Sequence, residues 1–367
     1  MLRNTKRMGR WIAIAVAIGL FCCSEATAKK PPKPPGDDGG NGGGVIYFTY
    51  DGDLYTMNDD GSGILPVAGY PDGFRLPKDA SRHRHAEKRW FTQMIEVPDE
   101  YYPDFKPDGT YKDFAEREIF VVLSDAGDAV PVWIDAGLEP LEEPKWTVGD
   151  GYLSWVGRRW DIDPESEDYG EVLEGGLYAT KLAFDTAGNV TGMDGPSFLL
   201  FPSSPLVPSN AGRQTQDFSP GPDIWQHDWA PDGIHFVFEP VSTEELRIGQ
   251  IGGDSELLYF EPSGGSVGWP KWSPAGDSIT FHSRGQLMVI RADGSRVKTL
   301  VRGNPNWSVG GGVWSPTGSH LLYQHWDHFF QDTYIVRITA GGGGKARLTD
   351  KSMGWGVAGP RPLGWRE

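Results

Sequence analysis

The sequence is poor in cysteine, in positive charge and in helical pattern. Its two cysteines, Cys22 and Cys23, both stand in the first 28 of 367 residues. A disulfide framework and thiol chemistry are therefore excluded for the rest of the chain. Lys and Arg number 34 against 50 Asp and Glu, a formal charge of −16. A surface of that sign repels nucleic acid and anionic membranes, and favours cationic partners or Ca²⁺. No long stretch repeats its apolar residues with a helical period, which argues against a helical bundle. The apolar run at residues 11–21 (WIAIAVAIGLF) is too short to cross a bilayer as a helix, so no transmembrane span is expected in the mature chain.

Arg3, Lys6, Arg7 and Arg10 precede that run, and Ala26-Thr27-Ala28 follows it. The pattern reads as an export signal over residues 1–28, which places the mature chain in the periplasm or outside the cell. Lipid attachment at Cys22 or Cys23 is the alternative, and Phe21 is a poor residue to precede it. Cleavage after Ala28 removes four basic residues and Glu25 and takes the charge from −16 to −19. Residues 29–44 (KKPPKPPGDDGGNGGG) carry no apolar side chain and predict a disordered spacer. The fold is expected to occupy residues 45–367.

What is abundant there is glycine (50), proline (29) and tryptophan (15), a composition suited to many short strands joined by turns. The tryptophans anchor a repeat. Trp272-Ser273-Pro274 leads through Gly276 to Ile279-Thr280-Phe281. Trp314-Ser315-Pro316 leads through Gly318 to Leu321-Leu322-Tyr323. Trp229-Ala230-Pro231 leads through Gly233 to Phe236-Val237-Phe238, and Trp146-Thr147-Val148 through Gly149 to Leu153-Ser154-Trp155. A second half follows, an apolar run ending in a turn such as Asp59-Asp60-Gly61, Asp125-Ala126-Gly127 or Ala292-Asp293-Gly294. These turns accept the positive φ that a twisted hairpin needs. Each unit therefore predicts four antiparallel strands. Such a sheet has two apolar faces and is stable only when packed against copies of itself.

Six second halves can be read, which predicts six blades. Residues 80–85 supply a worn first half for the second of them. The first has none, because Val45-Ile46-Tyr47-Phe48 is already a second strand. Its missing strand is Pro362-Leu363-Gly364-Trp365, so the C-terminal strand is expected to close the ring beside the N-terminal blade.

The phrase W-S-P-x-G, a strand, then L-x-x-x-x-A-D-G resembles the repeat of TolB-type six-bladed β-propellers over about residues 45–367. The resemblance implies an exported scaffold that binds partners on one face or through its central channel. It departs from TolB itself in lacking the N-terminal α/β domain of that protein, which argues against a role in the Tol envelope system. No residue of a TolB partner site can be matched individually.

Loops of a propeller alternate between two faces. The long insertions, residues 95–117, 157–175 and 193–224, all fall on the face of the second-to-third strand loops, where binding residues would concentrate. Tyr101, Tyr102, Trp160, Asp161, Asp163 and Tyr169 are the candidate ligand-binding residues. Their rings can stack on sugars or clamp a peptide, and their carboxylates can hold hydroxyls or cations. His282, His325 and His328 are candidate ligands for a divalent metal, set against the plainer reading that they pack within strands. Gly264-Gly265-Ser266-Val267-Gly268 has the spacing of a hydrolase nucleophile elbow, but it sits in a blade-to-blade link and not between a strand and a helix. No nucleophile is paired with a base at defined spacing, and no cofactor is required. The expected function is thus an exported, monomeric, non-catalytic propeller that binds an envelope or extracellular protein or peptide. The alternative is a carbohydrate-active propeller, either a glycan binder or a metal-dependent polysaccharide lyase.

Overall fold

The computed structural model describes residues 44–67, 90–96, 118–124, 129–132, 137–140, 144–147, 151–202, 224–240, 244–350 and 359–366, apart from a few single positions within these ranges. The proposed signal, and all of the proposed spacer except Gly44, lie outside them. No described residue is helical, so among the described residues no helix is long and apolar enough to cross a membrane.

Every strand is antiparallel to its neighbours. One sheet holds β1 (Val45–Tyr50), β2 (Asp53–Asn58) and β3 (Leu65–Pro66). A second holds β4 (Trp90–Glu96), β5 (Glu118–Ser124) and β6 (Ala129–Val132). The third contains β7 (Leu138–Pro140), β8 (Lys145–Trp146), β9 (Tyr152–Trp160), β10 (Val172–Phe184), β11 (Val190–Met193) and β12 (Phe198–Pro202). Its width is still four strands, because β7 and β8 share one edge along β9, and β11 and β12 share the other along β10. Next come β13 (Ile224–Trp229), β14 (His235–Pro240), β15 (Glu245–Gln250) and β16 (Ser255–Phe260). The fifth sheet is β17 (Val267–Trp272), β18 (Ser278–Ser283), β19 (Gln286–Arg291) and β20 (Lys298–Val301). The sixth is β21 (Trp307–Trp314), β22 (His320–Asp327), β23 (Asp332–Thr339) and β24 (Ala346–Arg347). Finally β25 (Arg361–Arg366) returns to pair with β1, giving the order β25-β1-β2-β3.

The expected six blades of four strands are corrected to a five-bladed β-propeller. Five sheets reach four strands in width, and each has a tryptophan in its first strand. The β4–β6 sheet has three strands and falls short of a blade. Residues 80–85, read as the first half of this blade, lie outside the described residues. Among the described residues no strand precedes β4 in that sheet.

The tryptophans share one register. Trp146 is opposite Leu153, Trp229 opposite Phe236, Trp272 opposite Ile279, and Trp314 opposite Leu321. Trp365 is opposite Ile46, so the C-terminal strand fills the slot expected for it. The blades are named below by these residues. Two of the indoles reach across the seam to the preceding blade: Trp229 Nε1–H donates to Ser154 Oγ (2.8 Å), and Trp314 Nε1–H to the Lys271 carbonyl (3.2 Å).

The core follows the seams. Val156 and Leu177 of the Trp146 blade pack with Ile224, Trp229 and Phe236. Val237 and Leu246 pack with Val267, Ile279 and Phe281. Leu287 and Leu300 pack with Val309, Leu321 and Tyr323. Leu322, Ile335 and Leu348 pack with Ile46, Phe48 and Trp365, which closes the ring. Side chains alternate along each strand, so each sheet gives one face to each neighbour. The hairpin glycines fit the same seams: Gly61 (φ +86°) approaches the Leu348 carbonyl so closely that a Cβ would lie 2.6 Å from its oxygen.

Candidate binding face

Strand direction puts the second-to-third strand turns and the blade-to-blade links on one face. Of the sequence candidates for that face, Tyr101 and Tyr102 lie outside the described residues. Trp160 ends β9, with the Arg158 guanidinium 5.5 Å from its ring centre. Asp161 accepts the Asp163 amide (2.9 Å) and Asp163 accepts the Glu165 amide (3.0 Å), so both carboxylates shape their own loop. Tyr169 follows in the same loop, its amide 3.4 Å from the Ser166 carbonyl.

The three candidate metal ligands are dispersed. His282 is near the end of β18 under the Trp269 ring (5.1 Å between centroids). His325 is stacked between Trp307 (4.7 Å) and Tyr334 (4.5 Å). His328 is exposed at the β22–β23 turn. Among the described residues, no three His, Cys, Asp or Glu side chains are grouped to hold a metal ion.

The structure instead gathers aromatic residues at this end of the Trp272 and Trp314 blades. Trp269 lies in a bulge of β17, where the register against β18 shifts between Gly268 and Lys271. Its φ is +51°, a left-handed conformation costing a bulky residue about 1–2 kcal/mol, and Pro270 restricts it further. Four contacts hold it there. Its N–H donates to Gln226 Oε1 (2.8 Å) of β13, and His282 lies under its ring. Trp326 meets the ring edge-on (5.7 Å, 72°). Gly311 of β21 leaves the space for it, since a Cβ there would be 2.6 Å from Trp269 Cβ. The Glu239 carboxylate of β14 lies over the adjacent Gly268, with Oε2 2.7 Å from the position of a Cβ. Trp326 adds a second cost, because its Nε1 is buried with no hydrogen-bond partner among the described residues. Such a donor costs about 1–3 kcal/mol.

One titratable ring of the cluster, His282, is held neutral. Burial pushes the His282 pKa down to about 4. Its Nε2 accepts the Gly285 N–H (3.0 Å), which assigns the proton to Nδ1. Beside the cluster, the β22–β23 turn presents Phe329 and Phe330, 75% and 62% exposed, with ring centres 4.9 Å apart. Asp327 Oδ1 accepts both of their amides (3.1 Å each), and the His328 amide donates to the Asn306 carbonyl (2.7 Å). The two rings are thus held outward by a fixed turn.

Aligning the phrases could have found this cluster. Three positions before the phrase tryptophan stand Gln226, Trp269, Gly311 and Pro362, and only one of these is aromatic. Phe329-Phe330 in a turn was also a visible signal.

Two other features bear on chemistry. Ser154 Oγ is 2.8 Å from His227 Nε2, but both residues are fully buried. The serine also accepts the Trp229 N–H, so this pair ties two blades together and meets no substrate. Ser266 precedes β17 in a loop, with no helix after it, which removes the structural basis of a nucleophile elbow. On the opposite face, a cavity of about 430 Å³ lies between the Trp229 and Trp272 blades, lined by Asp232, His235, Asp254, Glu256, Trp272 and Asp293. Asp232 and Asp293 there accept amides of their own turns.

No protein-family model and no curated protein sequence matches the chain. Solved structures do. TolB from Acinetobacter baumannii aligns at 15% identity and a TM-score of 0.51, over 99% of this chain and 73% of that one. A structure described as a TolB from Agrobacterium tumefaciens aligns at 16% identity and 0.47, over 89% and 99%. A periplasmic gluconolactonase from Pseudomonas aeruginosa aligns at 12% and 0.44, over 84% and 82%. In fold the chain is a TolB-like β-propeller, and identities this low speak only of fold.

Proposed function

We propose that the chain is an exported, non-catalytic propeller scaffold that docks a protein or peptide partner on the face of its second-to-third strand turns. One observation carries the reading: the exposed Phe329 and Phe330, fixed outward by Asp327, stand beside a cluster of Trp269, Trp307 and Trp326. Rigid aromatic anchors on a stiff scaffold are how interface energy is concentrated. Trp160 and Tyr169 lie on the same face and extend it toward the Trp146 blade. The acidic chain favours a basic partner.

The test is selection of displayed random peptides on the purified chain, followed by hydrogen exchange. Selected peptides should protect the β22–β23 and β18–β19 turns, and Phe329→Ser with Phe330→Ser should weaken them at least tenfold. Protection confined to the Asp59–Gly61 and Asp293–Gly294 hairpins would place docking on the other face and defeat the reading.

A further inference from the structure

We propose that the cavity on the hairpin face, between the Trp229 and Trp272 blades, binds an aliphatic polyamine. The inference concerns the face away from the docking turns and does not depend on them.

Three seams of the ring can be compared at the same place, where a hairpin glycine of one blade meets the outer strand of the blade before it. A Cβ on Gly61 would lie 2.6 Å from the Leu348 carbonyl oxygen, one on Gly342 2.9 Å from that of Leu300, and one on Gly294 3.5 Å from that of Leu258. The seam between the Trp229 and Trp272 blades is therefore the widest of the three. It also lacks a tie. The Trp229 and Trp314 indoles donate across their seams, to Ser154 Oγ and to the Lys271 carbonyl. Trp272 Nε1 is buried with no partner among the described residues. Val237, opposite Asp228 as Ser154 is opposite Lys145, has no hydroxyl to receive it. The cavity of about 430 Å³ lies along this loosened seam, and its volume suits a small organic ligand.

The lining selects the ligand. Two of its carboxylates are committed: Asp232 holds His235 and its own turn, and Asp293 holds the Ser295 amide and feels Arg291. Asp254 and Glu256 also line the cavity, are exposed, and have no side-chain partner among the described residues. They belong to the Trp229 blade and Asp293 to the Trp272 blade, so both walls carry negative charge. No Lys or Arg is among the described lining residues to neutralise it, and Ile248, Leu258 and Trp272 make part of the lining apolar. Among the described residues no three His, Cys, Asp or Glu side chains are grouped to hold a metal ion, which disfavours a compact cation. Separated charges in a partly apolar cleft suit ammonium groups joined by methylene segments. The ammonium groups pair with the carboxylates, and the methylenes lie on apolar surface as a lysine stem does.

Calorimetric titration of the chain with spermidine tests this, beside hexylamine, calcium chloride and a hexapeptide of alternating lysine and glycine. Spermidine should bind at least tenfold more tightly than hexylamine or Ca²⁺, and more tightly than the peptide. It should protect the amides of the β15–β16 hairpin from hydrogen exchange. Asp254→Asn with Glu256→Gln should weaken binding at least tenfold and flatten its salt dependence, because two screened charge pairs are gone. Both side chains are exposed, so this variant should melt as the parent does. Glu165→Gln with Glu167→Gln removes the same charge from exposed positions on the other face and should leave the affinity within twofold. Equal losses in the two double variants would mean diffuse attraction to an acidic chain and overturn the site, as would an absence of spermidine binding or Ca²⁺ binding that excludes spermidine. A lysine peptide that binds more tightly than spermidine would assign the cavity to lysine side chains of a protein and overturn the polyamine.

Discussion

The Trp272 blade and the closing blade are the same object assembled in two ways. In the first, β17 to β20 follow one another along the chain. In the second, the first strand arrives from the far end, and nothing covalent joins β25 to β1. Yet Trp272 faces Ile279 and Trp365 faces Ile46 in the same register, and Phe281 and Phe48 follow two residues later in the same buried slot. A blade is therefore defined by its packing slots, and chain continuity is optional. The β4–β6 sheet makes the converse point: its strands follow one another along the chain, and among the described residues it has three strands and not four.

The largest expected effect comes from breaking the closing blade where it is not covalent. Removing residues 360–367 deletes β25 and exposes Ile46, Phe48 and Leu322, which share a cluster with Trp365. The loss should exceed that of Trp365→Ala, itself about 3–5 kcal/mol for a buried ring. Trp272→Ala should cost less than Trp365→Ala, because Trp272 is only half-buried and Trp365 is 8% exposed. Thermal melts of the three variants check the order. A truncated chain melting like the full one would show that the clasp is decorative.

The next effect sharpens what differs between the blades. In the position after that buried aromatic stand Val156, Glu239, His282, Gln324 and Thr49. The framework repeats and this position does not. His282 makes the Trp272 blade sensitive to pH. Its folded pKa, about 4 by burial, is below the ordinary 6.5. Between those values the unfolded chain binds a proton that the fold refuses, so stability is complete above pH 6.5 and is lost as pH falls toward 4, by up to about 3 kcal/mol. Urea unfolding at pH 7.5 and 4.5 measures this. His282→Gln should shrink the difference between the two pH values, and an unchanged difference would assign it to other groups.

This contrast also explains what the sequence revealed. Antiparallel strands, the tryptophan register and the closure by Trp365 were legible because wedge packing forces the same residue types into the same slots. The blade number was not, because the second half at residues 118–127 reads as a blade on the strength of a worn first half at residues 80–85 that has no tryptophan. The site was least legible. His282 and His325 stood out as titratable residues, but their roles as ring partners of Trp269, Trp307 and Tyr334 depend on which blades adjoin. Trp269 passed as one tryptophan among fifteen, since its bulge and its positive φ arise from contacts with Gln226, Gly311 and Trp326, none of them near it in sequence.

The smallest effect distinguishes the two blades at their hairpins. Gly61 and Gly294 end the same kind of turn, at φ +86° and +77°. Any side chain at either costs about 1–2 kcal/mol for the left-handed backbone. The seams then differ. A Cβ on Gly61 would be 2.6 Å from the Leu348 carbonyl oxygen, a backbone atom that cannot step aside without disturbing the Trp314 blade. A Cβ on Gly294 would be 3.5 Å from the Leu258 carbonyl oxygen, an ordinary contact. Gly294→Ala should therefore cost about 1 kcal/mol, close to the backbone penalty alone, and Gly61→Ala about 2–3 kcal/mol, the extra arising from strain in the closing seam. Paired urea midpoints at pH 7.5 resolve the difference. Equal losses would mean that the closing seam is no tighter than the seam between the Trp229 and Trp272 blades and that Gly61 is there for its φ alone.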